Sequence, residues 1–173
     1  MTTYLAKIAP LMTAASTPSP YVVSASSAFS TWFSWIAFCG GTQAGANQDW
    51  LASTGSGEWI KIDLGSGNTY PPLTKYSVAN AHTGSAYNAT GWTLAGSNDD
   101  STYTTIDTQT GQSFSSSSAL LFSISPSMSY RYYKLTMSGS GSFVGTSDVG
   151  LYYPQTTGGG VGLSRTQTGV VVQ

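Results

Sequence analysis

Apolar residues in this chain alternate with polar ones in short runs, and Gly, Ser, Asn and Pro clusters break those runs apart. The clearest run is Glu58-Trp59-Ile60-Lys61-Ile62-Asp63-Leu64-Gly65. Successive side chains of a strand point to opposite faces. Ile60, Ile62 and Leu64 therefore share one face, and Trp59, Lys61 and Asp63 share the other. Gly91-Trp92-Thr93-Leu94-Ala95-Gly96 runs into the turn Ser97-Asn98-Asp99-Asp100, and Tyr130 to Met137 forms a third such block. The pattern predicts strands at Tyr21–Ala25, Trp59–Leu64, Leu73–Ala79, Trp92–Ala95, Thr104–Ile106, Ala119–Ile124, Arg131–Met137 and Val149–Tyr153. Short strands separated by turn residues specify an all-β sandwich or barrel.

The ends differ from the middle. Residues 1–19 read as an arm broken by Pro10 and Pro18, with Pro20 just beyond, and with weak helical spacing over Thr3–Thr13 (Leu5, Ile8, Leu11, Met12). That run is too short to stand alone as a helix. Residues 20–154 form the domain. Residues 155–173 read as a flexible Gly-rich linker, Gln155 to Gly160, followed by a tail ending in Val170-Val171-Val172. An exposed valine run invites strand pairing. Both ends are therefore expected to dock into neighbouring chains. A turn of helix is expected around Ser34–Phe38.

Composition removes several function classes. The 173 residues are 40% hydrophobic, enough for a core, but only 8% are charged, against roughly a quarter in ordinary domains. Six scattered Lys and Arg residues and a net charge of −1 make no phosphate-binding patch and no polybasic membrane anchor. Cys39 is the single cysteine, so no intramolecular disulfide forms. The start Met1-Thr2-Thr3-Tyr4-Leu5-Ala6-Lys7 has no basic region followed by an apolar run, so it does not read as a secretory signal. No stretch is apolar enough for a transmembrane helix.

Catalysis finds no support. His82 is the only histidine, and no Gly-x-Ser-x-Gly elbow marks a nucleophile. Glycoside hydrolysis needs two facing carboxylates. Asp49, Glu58, Asp63, Asp99, Asp100, Asp107 and Asp148 show no such pairing. There is no His/Cys cluster for zinc and no phosphate loop. The expectation is a protein that is not an enzyme.

The strand blocks, taken in order, resemble the discoidin family, the coagulation-factor type C domains with a galactose-binding-like fold. The resemblance spans about Pro18 to Tyr153. It includes the opening Ser19-Pro20-Tyr21-Val22-Val23-Ser24-Ala25-Ser26-Ser27, the step Ala37-Phe38-Cys39-Gly40, and Asp49-Trp50-Leu51-Ala52-Ser53 before the second strand. It implies an antiparallel jelly-roll β-sandwich with extended N- and C-terminal tails. It also implies scaffold roles for Trp50, Trp59 and Trp92 in the core and for Arg131 and Asp63. Carbohydrate-binding relatives place the site in loops at one end. By position those loops hold Trp32, Phe33 and Trp35; then Asn80, His82, Tyr87 and Asn88; then Ser142 and Phe143. An aromatic face packs on a sugar's C–H face while polar groups read its hydroxyls. Phe143, among glycine and serine, is the candidate expected to be exposed. Galactose binders of the family often carry an Arg just before the Trp92 strand. The segment Tyr87-Asn88-Ala89-Thr90-Gly91 has none, which counts against galactose in particular.

No cofactor is expected. Calcium is the one metal the resemblance allows, near Gly40 and Asp148. Cys39 stands where many relatives have a calcium-binding Asp, and a thiol suits so hard a cation poorly. The plainer reading of Cys39 is a small buried hydrophobe. Few charges with many Tyr, Trp, Ser and Thr look extracellular, yet no export signal is read. A bacteriophage virion protein, made in the host cytoplasm and freed by lysis, reconciles the two; export by another route would look the same. The expected function is therefore non-catalytic attachment of a phage tail or adhesion apparatus to host cell-surface carbohydrate. The chain would be multimeric and held by other virion proteins through both tails. The alternatives are a structural or capsid-decoration protein with a vestigial sugar site, and a bacterial surface lectin.

Overall fold

The computed structural model describes residues 3–40, 48–68, 70–81, 84–115 and 119–156. It is a sandwich of two antiparallel sheets. The four-stranded sheet has the order β1 (Thr3–Lys7), β11 (Val149–Thr156), β5 (Leu73–Ala79), β8 (Ala119–Met128). The five-stranded sheet has the order β2 (Val22–Ala25), β4 (Ser56–Asp63), β9 (Tyr132–Gly139), β6 (Ala89–Ser97), β7 (Thr104–Gln109). A two-stranded ribbon pairs β3 (Trp50–Leu51) with β10 (Gly145–Thr146) at one end. Among the described residues no helix is long and apolar enough to cross a membrane.

Register follows from the alternation. In β4 and β9, Ile60 faces Leu135 and Ile62 faces Tyr133. In β6 and β9, Trp92 faces Met137 and Leu94 faces Leu135. All seven of these side chains are buried between the sheets, where Leu73, Tyr76, Val78, Val149 and Leu151 of the other sheet meet them. A one-residue slip would turn this whole set to solvent. A polar chain runs into the core. Trp92 Nε1–H donates to the Tyr76 hydroxyl at 3.0 Å, and Tyr76 donates to Asp107 Oδ2 at 2.6 Å. Burial first, and then the bond to Asp107, pushes the Tyr76 phenol well above its ordinary value.

Three expectations change. The N-terminal segment is part of the sandwich and not an arm outside it. Thr3–Lys7 is an edge strand paired to β11 from Thr3↔Thr156 to Lys7↔Tyr152, and Ile8, Ala9 and Met12 are buried in the core. Helical spacing misleads here because a few apolar residues fit either period, and β11 supplies the missing hydrogen-bond partners. Trp59 is not in the core either. It lies half-buried on the outer sheet face, with Lys61 Nζ 5.6 Å from its ring centroid. Finally, β11 runs through Gln155 and Thr156, two residues into the expected linker. The rest of that linker and the valine tail, residues 157–173, lie outside the described residues.

Scaffold readings of Arg131 and Asp63 hold. Arg131 Nε and Nη2 donate to Asp63 Oδ1 and Oδ2, both at 2.8 Å, tying the start of β9 to the end of β4. The turn of helix sits at Ser34–Phe38 as expected, and it buries Ile36, Ala37 and Phe38. Strand β8 passes through Pro126, which a sheet edge tolerates because no ladder bond is lost on the open side.

Candidate functional site

The loops at the β3/β10 end are packed backbone against backbone. Val144 N–H donates to Thr54 O at 3.0 Å, and Ala52 N–H donates to Val144 O at 2.9 Å. A side chain on Gly141 would collide with the carbonyl oxygen of Ala86. Glycine there lets residues 139–143 lie directly on the turn Ser85–Tyr87. The parallel bridge Asn88↔Gly145 continues that contact.

This packing brings together three rings from distant parts of the chain. Phe143 lies 4.8 Å from Phe29 between ring centroids, with planes tilted by 53°. Tyr87 meets Phe143 edge-on at 6.0 Å. Phe29 keeps 43% of its surface exposed, while Phe143 and Tyr87 are half-buried. Phe143 is thus less exposed than expected, because two rings cover it. Ser142 beside it is exposed.

The polar candidates lie on the segment that leads to Tyr87 and Asn88. Asn88 Oδ1 accepts the Ala81 N–H at 2.7 Å, so its carbonyl closes the loop. Asn80 Nδ2 donates to Ala81 O at 3.3 Å, and Asn80 O accepts from Ser147. His82 lies outside the described residues. Trp32 is half-buried on the turn where its N–H donates to Phe29 O at 3.1 Å. Phe33 is 48% exposed, and Trp35 packs on the core. Among the described residues the ring that the first loop sends to Phe143 is Phe29. Sequence reasoning passed over it. Its one local signal is an aromatic in the polar stretch Ser26-Ser27-Ala28, and the partner that gives it meaning is more than a hundred residues away.

Glu58 anchors the loop that carries Phe29. It is buried, accepts hydrogen bonds from Ser27 Oγ–H at 2.8 Å and Thr54 Oγ1–H at 2.7 Å, and also from the Ser26 hydroxyl. Burial raises its carboxyl pKa, but the hydroxyls of Ser26, Thr54 and Ser27 outweigh that and hold it below the ordinary value. Trp50 Nε1–H adds a bond to Ser27 O at 3.0 Å. At the other side, Lys7 Nζ donates to both oxygens of Asp148 at 3.2 and 3.1 Å. Cys39 is buried, and Gly40 closes the turn of helix, with the next described residue at 48.

A sandwich of this strand order with its loops gathered at one end can be set beside solved structures. It superposes on a family 32 carbohydrate-binding module from the Clostridium perfringens NanJ protein, solved with galactose. The TM-score is 0.65 at 14% identity, covering 86% of this chain and 99% of that one. The fold is that of the discoidin-like carbohydrate-binding modules. An F5/8 type C domain from Bacteroides fragilis matches with a TM-score of 0.64 and 17% identity, over 80% of this chain and 94% of that one. A chitosan-binding module from a Paenibacillus chitosanase/glucanase matches at 0.60 and 19%, over 78% and 95% of the two chains. No protein-family model matches the sequence, and no curated protein matches it.

Proposed function

We propose that this chain is a non-catalytic carbohydrate-binding module whose site is the loop end around Phe29, Tyr87 and Phe143. The ring cluster carries the reading. Three aromatics from separate loops converge there at 4.8 and 6.0 Å, with one left 43% exposed. Such a surface presents an apolar platform for a sugar's C–H face, and Asn88, next to Tyr87 in sequence and carrying side-chain Nδ2–H groups, is our candidate for reading hydroxyls. The solved structures with this fold include modules crystallised with galactose and with N-acetylgalactosaminyl-galactose. They support a glycan ligand in general.

The setting we propose is a phage tail or adhesion apparatus that meets host-surface glycans. Its support is the low charge content with abundant Tyr, Ser and Thr. Many copies on one particle would offset the weak affinity of one shallow site. With residues 3–12 used inside the sandwich, attachment to other particle proteins would fall to residues 157–173.

The test is binding of the multimerised protein to a glycan array and to candidate host cells, with Phe143→Ala as the control. Losing one stacked ring is expected to weaken binding roughly tenfold. A wild-type protein that binds no glycan would refute the reading, as would Phe143→Ala binding unchanged.

A further inference from the structure

Asp148 stands between the core and the loop that bears the candidate site. Its carbonyl accepts the Ala79 N–H at 2.9 Å. The Thr146 hydroxyl lies 2.8 Å from Ala79 O and 3.1 Å from Asp148 O. Ser147 donates its N–H and its hydroxyl to Asn80 O, at 3.3 and 2.6 Å. Residues 146–148 therefore grip residues 79 and 80, the root of the segment that continues to Tyr87 and Asn88. From the other side, Lys7 places its ammonium across both oxygens of the Asp148 carboxylate. The pair is shielded, at 25% and 19% side-chain exposure. Lys7 reaches it because β1 is locked to β11, with Ile8 N–H on Leu151 O at 2.8 Å.

Among the described residues, those around Asp148 do not fit calcium. That ion takes six to eight oxygens, several from carboxylates. Here an ammonium engages both carboxylate oxygens. Among the described residues no group of three or more His, Cys, Asp or Glu is placed to hold a metal.

We propose that Lys7 takes the role of a cation. Its ammonium neutralises Asp148, steadies residues 146–148, and so sets the root of the loop without metal. The N-terminal strand is then a positioning element for the site. The inference rests on the proposed glycan site only for what the loop is used for.

The experiment is amide hydrogen exchange on the ligand-free full chain, read at Ala79 and Ala81, with Ile62 of β4 as the core reference. It is run with calcium and with a chelator, on wild type, Lys7→Met, Lys7→Arg and Asp148→Asn. Expected are wild-type rates that ignore calcium, exchange about fivefold faster at both of these amides in Lys7→Met, and recovery in Lys7→Arg. Ile62 should not change. In the double variant Lys7→Met/Asp148→Asn the loop effect should be no larger than in either single variant. Wild-type protection that rises with calcium would overturn the proposal. So would loop exchange in Lys7→Met equal to wild type, or single effects that simply add. These readouts need no glycan. A protein that behaves as expected here but binds no sugar would sink the glycan reading and leave this one standing.

Discussion

Replacing Glu58 by Gln tests whether a buried carboxylate holds the loop of Phe29. In the native protein three hydroxyls, from Ser26, Ser27 and Thr54, donate to this one charged group. Hydrogen bonds to a charged acceptor contribute about 1.5–3 kcal/mol each, against about 0.5–1.5 for neutral pairs. The amide keeps the shape and removes the charge. Each bond should then weaken by about 1 kcal/mol, for a total loss of about 3 kcal/mol at neutral pH. In a domain of this size that lowers Tm by roughly 6–12 °C. The pH dependence gives a second signature. The folded carboxyl is held below its ordinary 4.5, so its stabilisation is fully present above 4.5 and is lost as pH falls through the folded value. Once protonated, Glu58 resembles the amide, and the two proteins should converge. Urea denaturation followed by tryptophan fluorescence, from neutral pH down to about 3, measures both. A gap under about 1 kcal/mol at neutral pH would refute the argument. A gap that stays constant down the pH series would refute it equally.

Two more predictions concern the core. Tyr76→Phe removes the hydroxyl between Trp92 Nε1–H and Asp107; leaving those groups without it should cost about 1–3 kcal/mol in chemical denaturation, whereas a neutral result would mean that water replaces the hydroxyl. Burial pushes the Tyr133 phenol up to about 12 from 10.0, so its contribution is intact below 10 and disappears as pH rises through 12; absorbance near 295 nm should show exposed tyrosines ionising first, with Tyr133 joining only on alkaline unfolding, and an ordinary titration of every tyrosine would contradict that placement.

Much of the architecture was legible because alternation is a local property. Strand Leu73–Ala79 was read to the residue, and β4, β6 and β9 were found on the blocks with the strongest period. Strand β1 was not, since Leu5 and Ile8 fit a helix as well as a strand and only pairing with β11 decides between them. Trp59 shows a related limit. Its own alternation puts it opposite Ile60, and the family resemblance suggested core; the alternation was the better guide.

The site divides the same way. Phe143, Tyr87 and Asn88 were candidates because the resemblance to the discoidin family carries the loops of its carbohydrate-binding members onto those positions. Their convergence was invisible, and so was the part of Phe29. A ring contact at 4.8 Å between residues 29 and 143 depends on how two sheets stack and how glycines let backbones touch. By itself, the order of residues determined which side chains share a strand face and where turns fall. Only the tertiary structure decided that the N-terminal arm is a strand, that its Lys7 meets Asp148, and that one end of the sandwich gathers three aromatic rings. The physical reason is that periodicity and turn chemistry act over a few residues, whereas these contacts join segments whose proximity exists only after the whole core has packed.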